Sequence, residues 1–170
     1  MVIEGEGGAL TLEPLPQVHG DIISLGFRIG GIAYCPDISD FPDATAERLR
    51  DLDALIIDAL QYRTHPSHLS LGEALGWIER LAPKHAVLTH MHVPLDYATV
   101  MTETPANVEP AYDGMVIETP YKLVLNFAKP VKRVNNPKAV LSADRRRVTL
   151  QTNMDDMIKN PAAMNLKIDF

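Results

Sequence analysis

The chain has a single cysteine, Cys35, among 170 residues. An internal disulfide framework is therefore impossible, and a zinc site built from several thiolates is excluded. Long apolar runs are also lacking, and no stretch approaches the ~20 residues that a membrane span needs. The N-terminus is acidic and glycine-rich instead of basic and then apolar, so no secretory leader is read there. A reducing cytoplasm is the expected setting. Basic charge is in deficit, with 16 Lys+Arg against 22 Asp+Glu and a formal net charge of −6. That disfavours non-specific attachment to nucleic acid. The deficit is uneven: residues 1–130 carry 8 basic and 18 acidic side chains, whereas residues 131–170 carry 8 and 4. The C-terminal segment is thus a different kind of sequence, and the pattern divides the chain into residues 1–127 and an extension, 128–170, of no assigned role.

What is present is enough apolar material for one real core: 46% hydrophobic residues in a chain of this length. Residues 1–8 are glycine-rich and read as a frayed end or an edge-strand turn. Residues 9–18 alternate loosely and contain Pro14 and Pro16, which confines them to a sheet edge. Two apolar runs, 22–29 and 31–35, meet at Gly30-Gly31 and predict a hairpin. Residues 43–52 predict a helix with Ala46, Leu49 and Leu52 on one face. Residues 54–59 are nearly all apolar, as in a strand buried on both faces. Residues 70–81 are the strongest helix, with Ser70 and Glu73 at capping-box spacing and Pro83 beyond its end. With the strand 86–88 they form a parallel βαβ unit. A helix over 95–102, strands over 115–118 and 121–127, and a hairpin joining 139–141 to 148–151 complete the reading. Residues 154–170 show no clear period.

The chemistry gathers where these strands end. Ala86-Val87-Leu88-Thr89-His90-Met91-His92 is a buried strand running into two histidines. Gly31 through Asp37 is a second run ending at a carboxylate, and His19 lies upstream of it. Open α/β sheets place ligands at the carboxyl edges of their strands. Imidazole and carboxylate together suit zinc, manganese or iron. A solitary histidine is ordinarily just hydrogen-bonded; several of them at successive strand edges, joined by Asp37, point to a metal. His68 lies just outside the N-terminus of the 70–81 helix, where the macrodipole favours an anion. It is read either as a general acid toward a leaving oxygen or as a member of the capping turn. Cys35 reads as a small buried residue, the alternative being a thiol beside the metal.

The ordered set His19, Gly26-Phe27-Arg28-Ile29, Tyr34-Cys35-Pro36-Asp37, Asp58, His65-Pro66-Ser67-His68, Leu88-Thr89-His90-Met91-His92 and Tyr112-Asp113-Gly114-Met115 resembles the metallo-β-lactamase-fold hydrolases. Among them it is most similar to the phosphodiesterase branch that includes phosphoribosyl 1,2-cyclic phosphate phosphodiesterase. The resemblance covers residues 9–120. It implies an α/β fold, the C-terminal half of an αββα sandwich, with a mixed sheet and helices on one face. It further implies His19, Asp37 and His90 as metal ligands, Asp37 bridging two ions. His68 would be the acid/base group, and His65, His92 and Asp113 would neighbour the ligands or contact substrate. The cofactor would be divalent metal, zinc or manganese, two ions in the intact family and one or none here. The substrate would be a small (cyclic) phosphodiester attacked by hydroxide held on the metal.

One family motif, H-x-H-x-D-H, is absent. His90-Met91-His92 begins like it, but Pro94 and Leu95 stand where its Asp and last His belong. The chain is therefore expected to be inactive alone and to self-associate or pair with a missing N-terminal half. The alternative reading is a non-catalytic remnant or partner-binding half-domain.

Overall fold

A computed structural model of the chain describes residues 1–5, 8–117, 121–126, 128–136, 139–152 and 168–169. They form two compact units, Met1–Ile117 and Glu118–Phe170. In the first unit, β1 (Val2–Gly5) and β2 (Gly8–Thr11) make an antiparallel pair. A six-stranded mixed sheet follows in simple sequence order: β3 (Glu13–His19), β4 (Ile22–Ile29), β5 (Ile32–Cys35), β6 (Ala54–Asp58), β7 (His85–Thr89) and β8 (Val108–Pro110). β3, β4 and β5 are mutually antiparallel, and β5 through β8 run parallel. Three helices intervene: α1 (Asp43–Arg48), α2 (Leu71–Leu81) and α3 (Tyr97–Glu103).

Pro14 and Pro16 do lie on an edge strand, β3. They share the parity of Val18, whose N–H leaves the sheet for the Asp40 carbonyl at 3.0 Å. Their missing donors therefore face away from β4, where the ladder does not need them. The hairpin at Gly30-Gly31 and the parallel β6–α2–β7 unit are also as the periodicity predicts. Ser70 caps α2: its hydroxyl accepts from the Glu73 N–H, and the Glu73 carboxylate accepts from the Ser70 N–H at 2.8 Å. The helix closes on Ala82, which is left-handed, and Pro83 prevents its continuation.

The N-terminal stretch read as a frayed end or turn forms β1, and the 9–18 run divides into β2 and β3; two further elements differ from expectation. α1 stops at Arg48 because Arg28 donates to the carbonyls of Arg48 and Arg50, and Asp51 turns left-handed at φ 55°. Leu49 and Leu52 are buried all the same. Residues 115–117 are irregular, and 118 lies outside the described residues. The last strand of the sheet is instead β8, three residues long and ending in Pro110. It is too short for a period and carries a proline, so only its pairing with β7 reveals it.

The core occupies one face of the sheet. Leu15, Ala33, Cys35, Leu55, Ile57 and Leu88 meet Ala46, Leu49, Leu71, Ala74, Ile78 and Leu81 from α1, α2 and the turn after α1. The opposite face of β4 and β5 shows Ile23, Leu25 and Tyr34 at 63%, 49% and 47% exposure. Register pairs Tyr34 with Phe27, so these residues share one surface.

In the second unit, β11 (Ala139–Leu141), β12 (Arg147–Thr152) and β9 (Tyr121–Asn126) form an antiparallel sheet. β10 (Arg133–Val134) pairs with β13 (Ile168–Asp169). The expected hairpin between 139–141 and 148–151 is β11–β12. β9 belongs to this unit by its full-length pairing with β12, whereas the composition boundary after residue 127 groups it with what precedes. Residues 154–167 of the stretch read as aperiodic lie outside the described residues.

Candidate metal centre

The carboxyl ends of β5, β6 and β7 meet at one edge of the sheet and carry Asp37, Asp58 and His90 on or just beyond them. Asp37 and His90 are both left-handed, at φ 49° and 60°. Asp and His enter this region more readily than most residues, and non-glycine residues held there gather at functional sites. The turn at Asp37 is fixed from beneath. Buried Gln17 donates to the Pro36 carbonyl, and the Ser24 hydroxyl donates to the Asp37 carbonyl at 2.7 Å. Gly26 leaves the room for this, since a Cβ there would come within 2.5 Å of Gln17 Oε1 and 2.8 Å of the Tyr34 carbonyl.

Asp37, His68 and His90 each offer a ligand atom, and these atoms lie within 4.8 Å of one another. His90 Nδ1 stands 3.3 Å from Asp37 Oδ1. Behind them lies Asp58, fully buried. Its Oδ2 accepts from the Ile38 N–H at 3.1 Å and from His68 Nδ1 at 2.6 Å. A carboxylate only accepts, so the His68 proton sits on Nδ1 and Nε2 is left free. Asp58 Oδ1 has no hydrogen-bond partner among the described residues and lies 3.8 Å from His90 Nδ1. A buried carboxylate oxygen without a donor is costly, and this one lies beside the Asp37–His68–His90 group. Asp37 and His90 bring a carboxylate and an imidazole together, with His68 beside them held by a second, buried carboxylate; carboxylate and imidazole are the donor chemistry of zinc or manganese. The residues fit the ion.

The other expected site residues fall nearby in different ways. His19, the last residue of β3, packs edge-on against His68 with centroids 4.6 Å apart. Its Nδ1 donates to the Ser67 carbonyl at 2.6 Å, leaving Nε2 free, and it stands outside the Asp37–His68–His90 group. His65 lies 5.2 Å from the His68 ring, its Nδ1 facing the Ser67 N–H. His92 is exposed, and its N–H donates to the Leu60 carbonyl at 2.8 Å. Asp113 lines a recess next to His90. His85 is elsewhere, bonded to Glu109 at 2.7 Å. Cys35 is buried, and burial pushes its thiol up to about 12; it is a core residue, protonated and inert. Gln17 and Ser24 are the parts of the site that residue type alone did not reveal. Asp58 stood in the motif series without a role, although a carboxylate ending an otherwise apolar run is a signal in itself.

The fold and this site meet in the comparisons with known proteins. The family described as beta-lactamase superfamily domain matches residues 2–91, and the chain belongs to it: it carries a metallo-β-lactamase-fold hydrolase domain. A solved structure described as a new diphosphatase from the PhnP family is 37% identical, with a TM-score of 0.63 over 67% of this chain and 44% of that one. An octanoyltransferase of Porphyromonas gingivalis (strain ATCC BAA-308 / W83) is 34% identical over 109 residues, 62% of this chain and 22% of that protein. The short form of human tRNase Z (21% identical, TM-score 0.51) covers 64% of this chain and 42% of its own. The YhfI protein of Bacillus subtilis (15%, 0.52) covers 68% and 51%. These last two speak for the fold alone. The chain spans less than half the length of the diphosphatase and about a fifth of the octanoyltransferase. No helix among the described residues is long and apolar enough to cross a membrane.

Proposed function

We propose that this chain contributes to metal-dependent hydrolysis of a small phosphodiester or diphosphate ester. The observation that carries the reading is the convergence of Asp37, His68 and His90 in front of buried Asp58. The 37% identity to a protein described as a diphosphatase supports it. Asp37 and His90 would hold the cation, with His19, whose Nε2 is free, as a further ligand. A divalent ion there supplies positive charge to the phosphoryl oxygens and lowers the pKa of water. His68, oriented by its Nδ1 bond to Asp58, would take the proton given up by the attacking water on its free Nε2 and pass it to the leaving oxygen. His65, His92 and Asp113 would neighbour the ligands or contact the substrate.

The sequence contains no H-x-H-x-D-H, so its own ligands serve one ion better than two, and turnover by this chain alone is expected to be weak. The test is hydrolysis of bis(p-nitrophenyl) phosphate and of a nucleoside diphosphate ester by the full chain with manganese or zinc. Weak turnover abolished by chelator is expected, and His68→Ala should lower it ~10²–10⁴-fold with metal content unchanged. Loss of metal in that variant would make His68 a ligand instead. Absence of phosphoester turnover, alongside hydrolysis of an octanoyl thioester, would favour a second reading. The 34% identity to an octanoyltransferase supports that acyl reading.

The exposed apolar face of Ile23, Leu25 and Tyr34 supports self-association, or pairing with a segment that carries the absent motif. Sedimentation velocity tests it: the full chain should sediment above its monomer mass, and Tyr34→Lys should lower that value. A monomeric wild type would remove the self-association reading.

A further inference from the structure

We propose that the recess beside His90 is a subsite for a nucleobase, so that the substrate is a phosphoester of a nucleoside. This deepens the phosphoester reading and rests on it. The recess has a volume of about 270 Å³ and is lined by Leu88, His90, Met91, Ala111, Tyr112 and Asp113. That lies just below the range of ~300–1,000 Å³ typical of whole-ligand pockets, as suits one ring system and not a complete ligand.

Its two walls are tied together. The Ala111 N–H donates to the Leu88 carbonyl at 2.8 Å, which fixes the Ala111–Asp113 segment to the end of β7, the strand that delivers His90. Tyr112 through Met115 close a turn, the Met115 N–H reaching the Tyr112 carbonyl at 3.0 Å with Gly114 at φ 84°. Positive φ at the third turn position is what a type II turn requires, and glycine meets it without strain. Tyr112 and Asp113 are therefore presented by a hydrogen-bonded turn.

The chemistry of this wall selects a planar ring carrying donors. Tyr97, at the start of α3, meets the Tyr112 ring edge-on, at 80° with centroids 6.2 Å apart. This contact orients Tyr112, which remains 55% exposed. An aromatic face accepts any base by stacking. Ala111 and the Met91 thioether supply apolar and polarisable contact to the same ring. Asp113 has no hydrogen bond or ion pair among the described residues. Its carboxylate repels a second phosphate and accepts from an amino or ring N–H group. The charged part of the substrate thus lies at Asp37 and His90, and the uncharged, donor-bearing ring lies beside Tyr112.

Calorimetric titration of the manganese-loaded full chain with adenosine 5′-monophosphate, ribose 5-phosphate and adenosine separates the two ends. The nucleotide should bind about 10-fold tighter than ribose 5-phosphate. Tyr112→Ala should erase that difference and leave ribose 5-phosphate binding as it was, while Tyr112→Phe should retain it. As a readout needing no variant, adenosine should shift the backbone amide signals of Ala111, Tyr112 and Gly114. Equal affinity for nucleotide and sugar phosphate, or adenosine shifts confined to other residues, would overturn the subsite and leave the phosphoester reading standing. Adenosine binding that depends on Tyr112, without ribose 5-phosphate binding, would do the reverse.

Discussion

Asp58 does more at this site than its lack of exposure suggests. One of its oxygens joins the Ile38 N–H to His68 Nδ1, so the loop carrying Asp37 and the loop carrying His68 share a single buried anchor. Its other oxygen faces His90. Asp58→Asn exchanges that acceptor pair for one oxygen and one N–H, and an N–H set against Ile38 N or His68 Nδ1–H repels. Zinc affinity of the variant should fall by ~10–100-fold, as when groups behind metal ligands are lost. The ring ¹⁵N signals of His68 should also lose the fixed Nδ1–H form. Wild-type affinity with an unchanged His68 spectrum would show that Asp58 only fills space. At this scale the sequence discloses residue types at strand ends, and so His19, Asp37, His68 and His90 are visible in it. It does not disclose which nitrogen carries a proton, or that His68 and not His19 joins the tight group. Those depend on side-chain directions set by Ser67 and Asp58, one of them 48 residues from His19 along the chain.

The elements that hold these residues are legible wherever a local rule is strong. The capping box at Ser70 and Glu73, the prolines of β3 and the paired glycines before β5 each state one geometry, and each is found. α2 follows the loop of His65 and His68, so its cap fixes where that loop ends. Ser70→Ala removes the hydroxyl of the box and leaves the Glu73 N–H without its cap. Stability should fall by about 1 kcal/mol, measured by urea unfolding, with the slope of the transition unchanged. A shift well below that would mean that Glu73 or water replaces the cap. What the sequence withholds at this scale is also physical. β8 exists because Val108 buries against the core and residues 107 and 111 bond across to β7, contacts with no local signature. α1 ends early where Arg28, on β4, takes the carbonyls of Arg48 and Arg50.

The whole first unit is a sheet with helices on one face and a donor-rich edge where β5, β6 and β7 end. Its family membership follows from the match over residues 2–91. Its chemistry rests on whether that edge binds a cation. The direct measurement is zinc titration of the full chain against a competing chelator, for the wild type, His68→Ala and His90→Ala, with circular dichroism confirming the fold. The wild type and His68→Ala should each take up one zinc per chain. In His90→Ala, which removes a ligand and not a group behind one, affinity should fall by more than ~100-fold. A folded His90→Ala chain that binds zinc as the wild type does, or a wild type that binds none, would contradict the account.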